Sequence, residues 1–127
     1  MLVDECQRGW ALRYIREARA ELEAAKNIPK VASNSIYEAL RKARMAIFYV
    51  LGEPDIVESV VQEVIVNDDG QGNALIGFLS DLNDIILQLE EAHELPEPQK
   101  ETVFRKIGAI IESAEYIVGL FLKENID

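Results

Sequence analysis

Cysteine and histidine each occur once in the 127 residues, and these two counts exclude several kinds of site. Cys6 has no second cysteine with which to form an internal disulfide, and the sequence contains no CxxC pair and no zinc-ligand set. A carboxylate-bridged di-iron bundle needs two Glu-x-x-His motifs, so the single Glu90-x-x-His93 excludes a site of that usual kind. A P-loop and a GxGxxG motif are also absent, and no common nucleotide-binding signature is therefore present.

Long apolar runs are absent as well. No stretch approaches the roughly 18 apolar residues that a membrane-spanning helix requires. Asp4, Glu5 and Arg8 interrupt the start of the sequence before an apolar segment of the signal-peptide kind develops. We therefore expect no membrane association and a cytoplasmic location.

Basic residues are missing from the middle of the chain. The formal net charge is −10, which opposes binding to bare nucleic acid. Residues 1–44 contain nine Lys and Arg against six acidic residues, whereas residues 45–99 contain twelve acidic residues and no Lys or Arg. A chain with its charges separated in this way can associate head to tail with another copy, or it can simply gain solubility from its acidic surface.

Apolar residues recur at helical spacing in five segments, which predicts an all-α fold. The first helix is expected over about residues 3–27, with Trp10 and Tyr14 along one edge. The Ser35-x-x-Glu38 pattern resembles a capping box and predicts the start of the second helix, which Gly52 ends. The remaining helices are expected over residues 55–66, 73–94 and 99–124, with Asn73 as an N-cap. Residues 55–66 are rich in β-branched side chains and would also suit a strand, but a lone strand would have no partner.

The order of these helices and their short links predict one domain over residues 1–127. The expected architecture is an up-and-down antiparallel bundle of four long helices and one shorter helix. The predicted core stripes are Ala11, Ile15, Ala18, Leu22 and Ala25; Ile36, Leu40, Ala43, Ile47 and Leu51; Leu75, Leu79, Leu82, Ile86 and Leu89; and Val103, Ile107, Ile110, Ala114, Ile117 and Phe121. The end of the second helix is apolar nearly all round, which places it either centrally in the bundle or against a second subunit.

A stripe of basic and aromatic residues on the second helix is the first candidate site. The stripe consists of Tyr37, Arg41, Arg44 and Phe48. Their spacing of i, i+4, i+7 and i+11 places them one after another along one side of the helix. Cations framed by aromatic rings can bind a phosphate and stack on a base, or bind a partner protein. The same residues can instead pair with the acidic region at 53–97, and both interpretations remain open at this point.

Paired glutamates on the last two helices are the second candidate site. Glu91 and Glu94 are one turn apart, and so are Glu112 and Glu115. Such pairs on two helices can hold Mg²⁺, which prefers oxygen ligands and bridges to phosphates. The pattern resembles that of the MazG-type all-α nucleotide pyrophosphohydrolases, and it implies Mg²⁺ as the cofactor of this alternative. The competing interpretation is a solvated, glutamate-rich helix surface without a metal.

Residues 10–52 carry a second resemblance. Two segments are similar to the opening helix pair of HEPN domains. They are Trp10-Ala-Leu-Arg-Tyr-Ile-Arg-Glu-Ala-Arg-Ala-Glu-Leu-Glu-Ala-Ala25 and, after a break, Ser35-Ile-Tyr-Glu-Ala-Leu-Arg-Lys-Ala-Arg-Met-Ala-Ile-Phe-Tyr-Val-Leu51. The resemblance implies an antiparallel bundle, a homodimer, and either RNA cleavage or partnership with a nucleotidyltransferase. The cleaving members carry Arg followed four to six residues later by His, and no histidine follows Arg105. The resemblance therefore implies a non-catalytic member.

Two hypotheses follow from the sequence. The first is a non-enzymatic, HEPN-like module that forms a homodimer and serves protein–protein or nucleotide-related interactions, with no catalytic residues and no cofactor. The alternative is the Mg²⁺-dependent pyrophosphohydrolase. They make different predictions about whether the four glutamates converge on one pocket.

Overall fold

A computed structural model describes the backbone of residues 5–28, 32–67, 73–92 and 100–124, and the side chains of 5–28, 32–67, 73–90 and 104–122. The described part of the chain consists of five α-helices and contains no strand. These are α1 (Glu5–Asn27), α2 (Ala32–Leu51), α3 (Pro54–Asn67), α4 (Ala74–Ala92) and α5 (Lys100–Glu124). The predicted all-α class is confirmed.

Helix α1 packs along α2 in the most extensive helix–helix contact of the protein. The five predicted core residues of α1, spaced alternately four and three positions apart from Ala11 to Ala25, are all buried. Alanines supply much of the contact from both helices, with Ala39 and Ala43 on α2 fully buried. Small side chains let two helices approach closely, so the alanine-rich pattern explains why this pair dominates the fold.

Helix α2 is the central element of the bundle, because it contacts α1, α3, α4 and α5. Ten of its twenty side chains are buried, among them Phe48 and Val50 near its C-terminal end. This position accounts for the end of α2 being apolar nearly all round. The sequence left open whether this end packs centrally in the bundle or against a second subunit, and in the structure it packs inside the bundle.

The predicted start of α2 at a capping box is wrong. The helix begins at Ala32, and Ser35 lies inside it with only 6% of its side chain exposed. The physical reason is that Ala32 is itself buried, so burial of one more turn extends the helix toward its N-terminus. Ser35 is small enough to occupy the crowded side of the helix.

The start of α3 follows directly from the sequence around Gly52. Gly52 has a backbone φ of 154°, which side-chain-bearing residues rarely adopt, and it ends α2 there. Pro54 is the first residue of α3, a position at which its missing N–H costs nothing. The segment predicted over 55–66 is therefore a helix, as expected, although Val61 is its only buried side chain.

Helix α4 begins as predicted, since the Oδ1 of Asn73 accepts a hydrogen bond of 3.0 Å from the backbone N–H of Ile76. Of its predicted core stripe, Leu79, Leu82 and Ile86 are buried, whereas Leu75 and Leu89 are only half-buried because they lie at its ends. None of the helices in the described ranges combines the length and the apolar character needed to cross a membrane.

The predicted core stripe of α5 is partly wrong. Ile107 and Ala114 are buried as expected, but Ile110, Ile117 and Phe121 are only half-buried. The side chain of Val103, the first residue of the predicted stripe, lies outside the described residues. Three other residues complete the buried stripe, namely Ile111, Val118 and Leu122. The sequence of α5 is apolar on both of these neighbouring stripes, so packing against α1 and α2 determines which one is buried.

Candidate functional site

The basic and aromatic stripe predicted on α2 faces α4 over much of its length. The Tyr37 hydroxyl donates a 2.8 Å hydrogen bond to Oε1 of Glu90, and the Arg44 guanidinium donates one of 3.0 Å to Oδ1 of Asn83. Both acceptors lie on α4, within the acidic region of the sequence. Of the two interpretations of the stripe, these bonds favour pairing with α4.

The other two residues of the stripe are also engaged. Arg41 donates a 2.8 Å bond to the carboxylate of Glu38 one turn earlier on α2, and this bond is the main reason that the pKa of Arg41 is raised. Phe48 is only 2% exposed and belongs to the core. A base cannot stack on a ring buried in this way, so the stacking role predicted for Phe48 is wrong. Tyr37, Arg44 and Phe48 thus connect α2 to its neighbours, while Arg41 is paired within α2 and its side chain remains 37% exposed.

The predicted glutamate pair of α5 lies toward α1. Glu115 forms an ion pair with Arg19 of α1, and Glu112 is exposed. The part of α5 that borders α4 instead carries Lys106 and Ile110, about half a turn round the helix from Glu115. This glutamate pair therefore does not turn toward α4.

The other predicted pair lies on or beyond the end of α4. The side chain of Glu91 and the whole of Glu94 fall outside the described residues, as does His93. Among the side chains that are described, no group of three or more His, Cys, Asp or Glu is placed to hold a metal ion. The Mg²⁺ site of the alternative hypothesis stays a prediction.

An open groove lies between α4 and α5, where the two helices share little contact. Its volume is about 310 Å³ and its floor is mainly apolar. Phe78, Leu82 and Ile85 of α4 and Ile110 of α5 line it, with Asp81, Asp84 and Lys106 at its borders. The charged groups among its described lining residues are two carboxylates and one ammonium group.

An aromatic cluster that the sequence did not predict joins α1 to the end of α2. The rings of Trp10, Tyr14 and Tyr49 lie with centroids 5.6–6.1 Å apart, and Tyr49 is stacked with both of the others at interplanar angles of 18°. Trp10 remains 38% exposed. The guanidinium carbon of Arg13 lies 5.1 Å from the centre of the Trp10 ring, a cation–π distance.

A pocket of about 410 Å³ opens beside this cluster. Trp10 and Tyr49 form its aromatic side, while Glu53, Pro54 and Asp55 form the side supplied by the α2–α3 turn. The two remaining lining residues are Cys6 and Gln7, at the start of α1. The i, i+4 spacing of Trp10 and Tyr14 was a visible signal for an aromatic surface, but nothing near them in the sequence pointed to Tyr49.

The electrostatic surroundings of the pocket are negative. The pKa of Tyr49 is raised, first by burial and then by neighbouring groups that include Tyr14, Glu53 and Asp55. Arg13, the cation closest to Trp10, is itself bonded to Glu17 through Nε at 3.0 Å. The pKa of Glu17 is lowered, mainly by this bond. The pocket therefore combines aromatic rings with two carboxylates, and none of the described residues that line it is basic.

Comparison with protein-family models, with curated proteins and with solved structures finds no match for this chain.

Proposed function

We propose that the protein is a non-enzymatic interaction module that forms a homodimer. The observation that carries this proposal is the surface of α3. Ile56 and Val60, one turn apart, are 64% and 53% exposed, and Val66 near the end of the helix is 79% exposed. Ile56 and Val60 form an apolar pair on one exposed face of α3, whereas Val66 lies about 80–120° round the helix from them. An exposed apolar pair of this kind is typical of a surface that a partner covers.

The charge around this surface favours a basic partner. Asp55, Glu58 and Glu63 of α3 are all exposed, and the neighbouring helix α4 adds further acidic residues. Neither helix contains a Lys or Arg. Two copies of α3 placed face to face would bring these carboxylates together, so symmetric α3–α3 pairing is disfavoured.

Helix α1 offers the complementary charge within the same chain. Arg16 is exposed on it, as are Arg13 and Lys26, which pair with Glu17 and Glu23 of the same helix. Residues 1–44 as a whole have more basic than acidic residues. We infer that α1 of one copy docks on the α3–α4 surface of a second copy. The second copy makes the same contact in return, so that a two-fold axis relates the two contacts. The resemblance of residues 10–52 to HEPN domains implies a homodimer and therefore supports self-association.

A double substitution of exposed residues tests this interface. Ile56→Ser with Val60→Ser removes apolar surface that the single chain does not bury, so we expect a monomer with an unchanged helix content. The matched control is Tyr116→Ser with Leu120→Ser on α5, since these side chains are 67% and 44% exposed. Sedimentation velocity measures the mass and circular dichroism checks the fold. A dimer that survives the α3 substitutions, or that only the α5 substitutions dissociate, would exclude α3 as the interface.

The Mg²⁺-dependent alternative has its own test. A bound ligand stabilises the native state, so a metal site would raise the melting temperature when Mg²⁺ and a nucleoside triphosphate are added together. For an interaction module we expect no such rise. A rise that Glu112→Gln abolishes would overturn the non-enzymatic proposal and favour the glutamate site.

A further inference from the structure

The pocket between α1 and the α2–α3 turn shares Asp55 with the charged surface of the proposed dimer, but Ile56 and Val60 are not among its described lining residues. Its chemistry points to a ligand. We propose that this pocket binds an organic cation, an alkylammonium or guanidinium group, held between the aromatic rings and the carboxylates of Glu53 and Asp55. The two sources of such a group are a lysine or arginine side chain of a partner protein and a free quaternary ammonium compound.

Aromatic and acidic groups together select for a cation with an apolar body. An aromatic ring attracts a positive charge through its quadrupole, and it also buries the methylene or methyl groups beside that charge. Arg13 already places a guanidinium 5.1 Å from the centre of the Trp10 ring, and this residue is still 38% exposed beside the pocket. A simple metal ion would use only the two carboxylates and would gain nothing from the rings.

The positive charges near the pocket do not offset the carboxylates. The N-terminus of α3 contributes a partial charge of about one-half, because the pocket includes Pro54 at its first position. Glu53 and Asp55 together carry two full negative charges, and Glu53 is exposed outside the helix. Arg13 is compensated by its ion pair with Glu17. The described residues that line the pocket therefore carry a net negative charge.

Trp10 provides a direct readout, because it is the single tryptophan of the chain and it lines the pocket. Its fluorescence is titrated with tetramethylammonium chloride and, separately, with a dodecapeptide of alternating lysine and serine, each against NaCl of equal ionic strength. We expect a saturable change with at least one of the two cations. Saturation by tetramethylammonium alone identifies a small ligand. Saturation by the peptide at a lower concentration than by tetramethylammonium identifies a partner's side chains.

Charge removal at the pocket gives the decisive comparison. Glu53→Gln with Asp55→Asn keeps the size of both side chains, and we expect it to weaken binding about five- to tenfold. The matched control, Glu21→Gln with Asp84→Asn, removes two carboxylates that do not line the pocket and should leave the affinity unchanged. No saturable change with either cation, or equal affinity in the pocket variant and the wild type, would overturn the proposal.

Cys6 offers an independent measurement, since its thiol is exposed, lines the same pocket and is the chain's single cysteine. Cationic and anionic methanethiosulfonate reagents convert a thiol to a mixed disulfide and release methanesulfinate. We expect the cationic reagent to react faster, and the ratio of the two rates to fall in the Glu53→Gln, Asp55→Asn variant alone. An equal ratio in all variants would contradict a negative pocket.

The same titrations on the Ile56→Ser, Val60→Ser variant separate this proposal from the proposed dimer. If that variant is monomeric and binds cations normally, both proposals hold and the pocket belongs to the single chain. If the wild type proves monomeric yet binds cations, the dimer alone fails. If the wild type forms the dimer but binds neither cation, the proposal of a cation site fails and the proposed dimer stands.

Discussion

The hydroxyl of Tyr37 on α2 donates a 2.8 Å hydrogen bond to Oε1 of Glu90 on α4 and thereby connects the two helices. This bond is the largest cause of the raised pKa of Tyr37, and burial and the charge of Glu90 act in the same direction. The shift has a consequence for stability, because only the protonated phenol can donate the bond.

Replacing Tyr37 with Phe should lower the free energy of unfolding by about 0.5–1 kcal/mol at pH 7. A group whose pKa is raised in the folded state stabilises fully below its unfolded value, about 10 for tyrosine, and loses this contribution as the pH rises through the folded value. Urea denaturation of wild type and Tyr37→Phe should therefore differ at pH 7 and converge above about pH 10. Tyr116→Phe, at a 67% exposed site, is the control and should match the wild type at both pH values. A difference that persists unchanged at alkaline pH would contradict this role of the hydroxyl.

Two glycines should respond in opposite directions to alanine. Gly52 has a φ of 154°, so Gly52→Ala strains the backbone and should destabilise the protein by about 1–3 kcal/mol. Gly77 lies inside α4 with no atom within 4 Å of an added Cβ, so Gly77→Ala should stabilise it by about 0.5–1 kcal/mol. Chemical denaturation measures both values. A neutral Gly52→Ala variant would mean that the end of α2 does not need a glycine.

Substitution of Phe48 tests its position in the core. Phe48→Ala should cost about 3–5 kcal/mol because the ring is 2% exposed and its removal leaves a cavity. Leu120→Ala, at a site 44% exposed, should cost much less and serves as the surface control. Thermal and urea denaturation of both variants give the comparison. If Phe48→Ala were as stable as Leu120→Ala, Phe48 would have to be a surface residue, and a binding role for it could be reconsidered.

The part of the fold that could be predicted from sequence is the part with one clear apolar stripe. In α1, Ile15 and Leu22 alternate with alanines while the opposite side of the helix is charged, so the sequence contains only one apolar face that could be buried. In α5, Ile110 and Ile111 are neighbours that are equally apolar, and only contact with other helices decides that Ile111 is the buried one. The periodicity of a sequence identifies the apolar faces of a helix. When two neighbouring faces are similarly apolar, contacts with other helices determine which of them is buried.

The same limit applies to the candidate sites. The spacing of Tyr37, Arg44 and Phe48 correctly placed them along one side of α2, yet spacing alone did not show that α4 and the core occupy that side. The aromatic cluster was missed because Tyr49 reaches Trp10 from another helix. A pocket formed by residues distant in sequence has no local pattern from which it could be predicted.

The molar mass in solution, measured by light scattering over a range of protein concentrations, tests the central claim most directly. The account predicts a mass of about twice the 14.3 kDa of one chain, falling toward one chain at high salt as the contact between acidic and basic surfaces is screened. A mass of 14.3 kDa at every concentration and at low salt would contradict the homodimer.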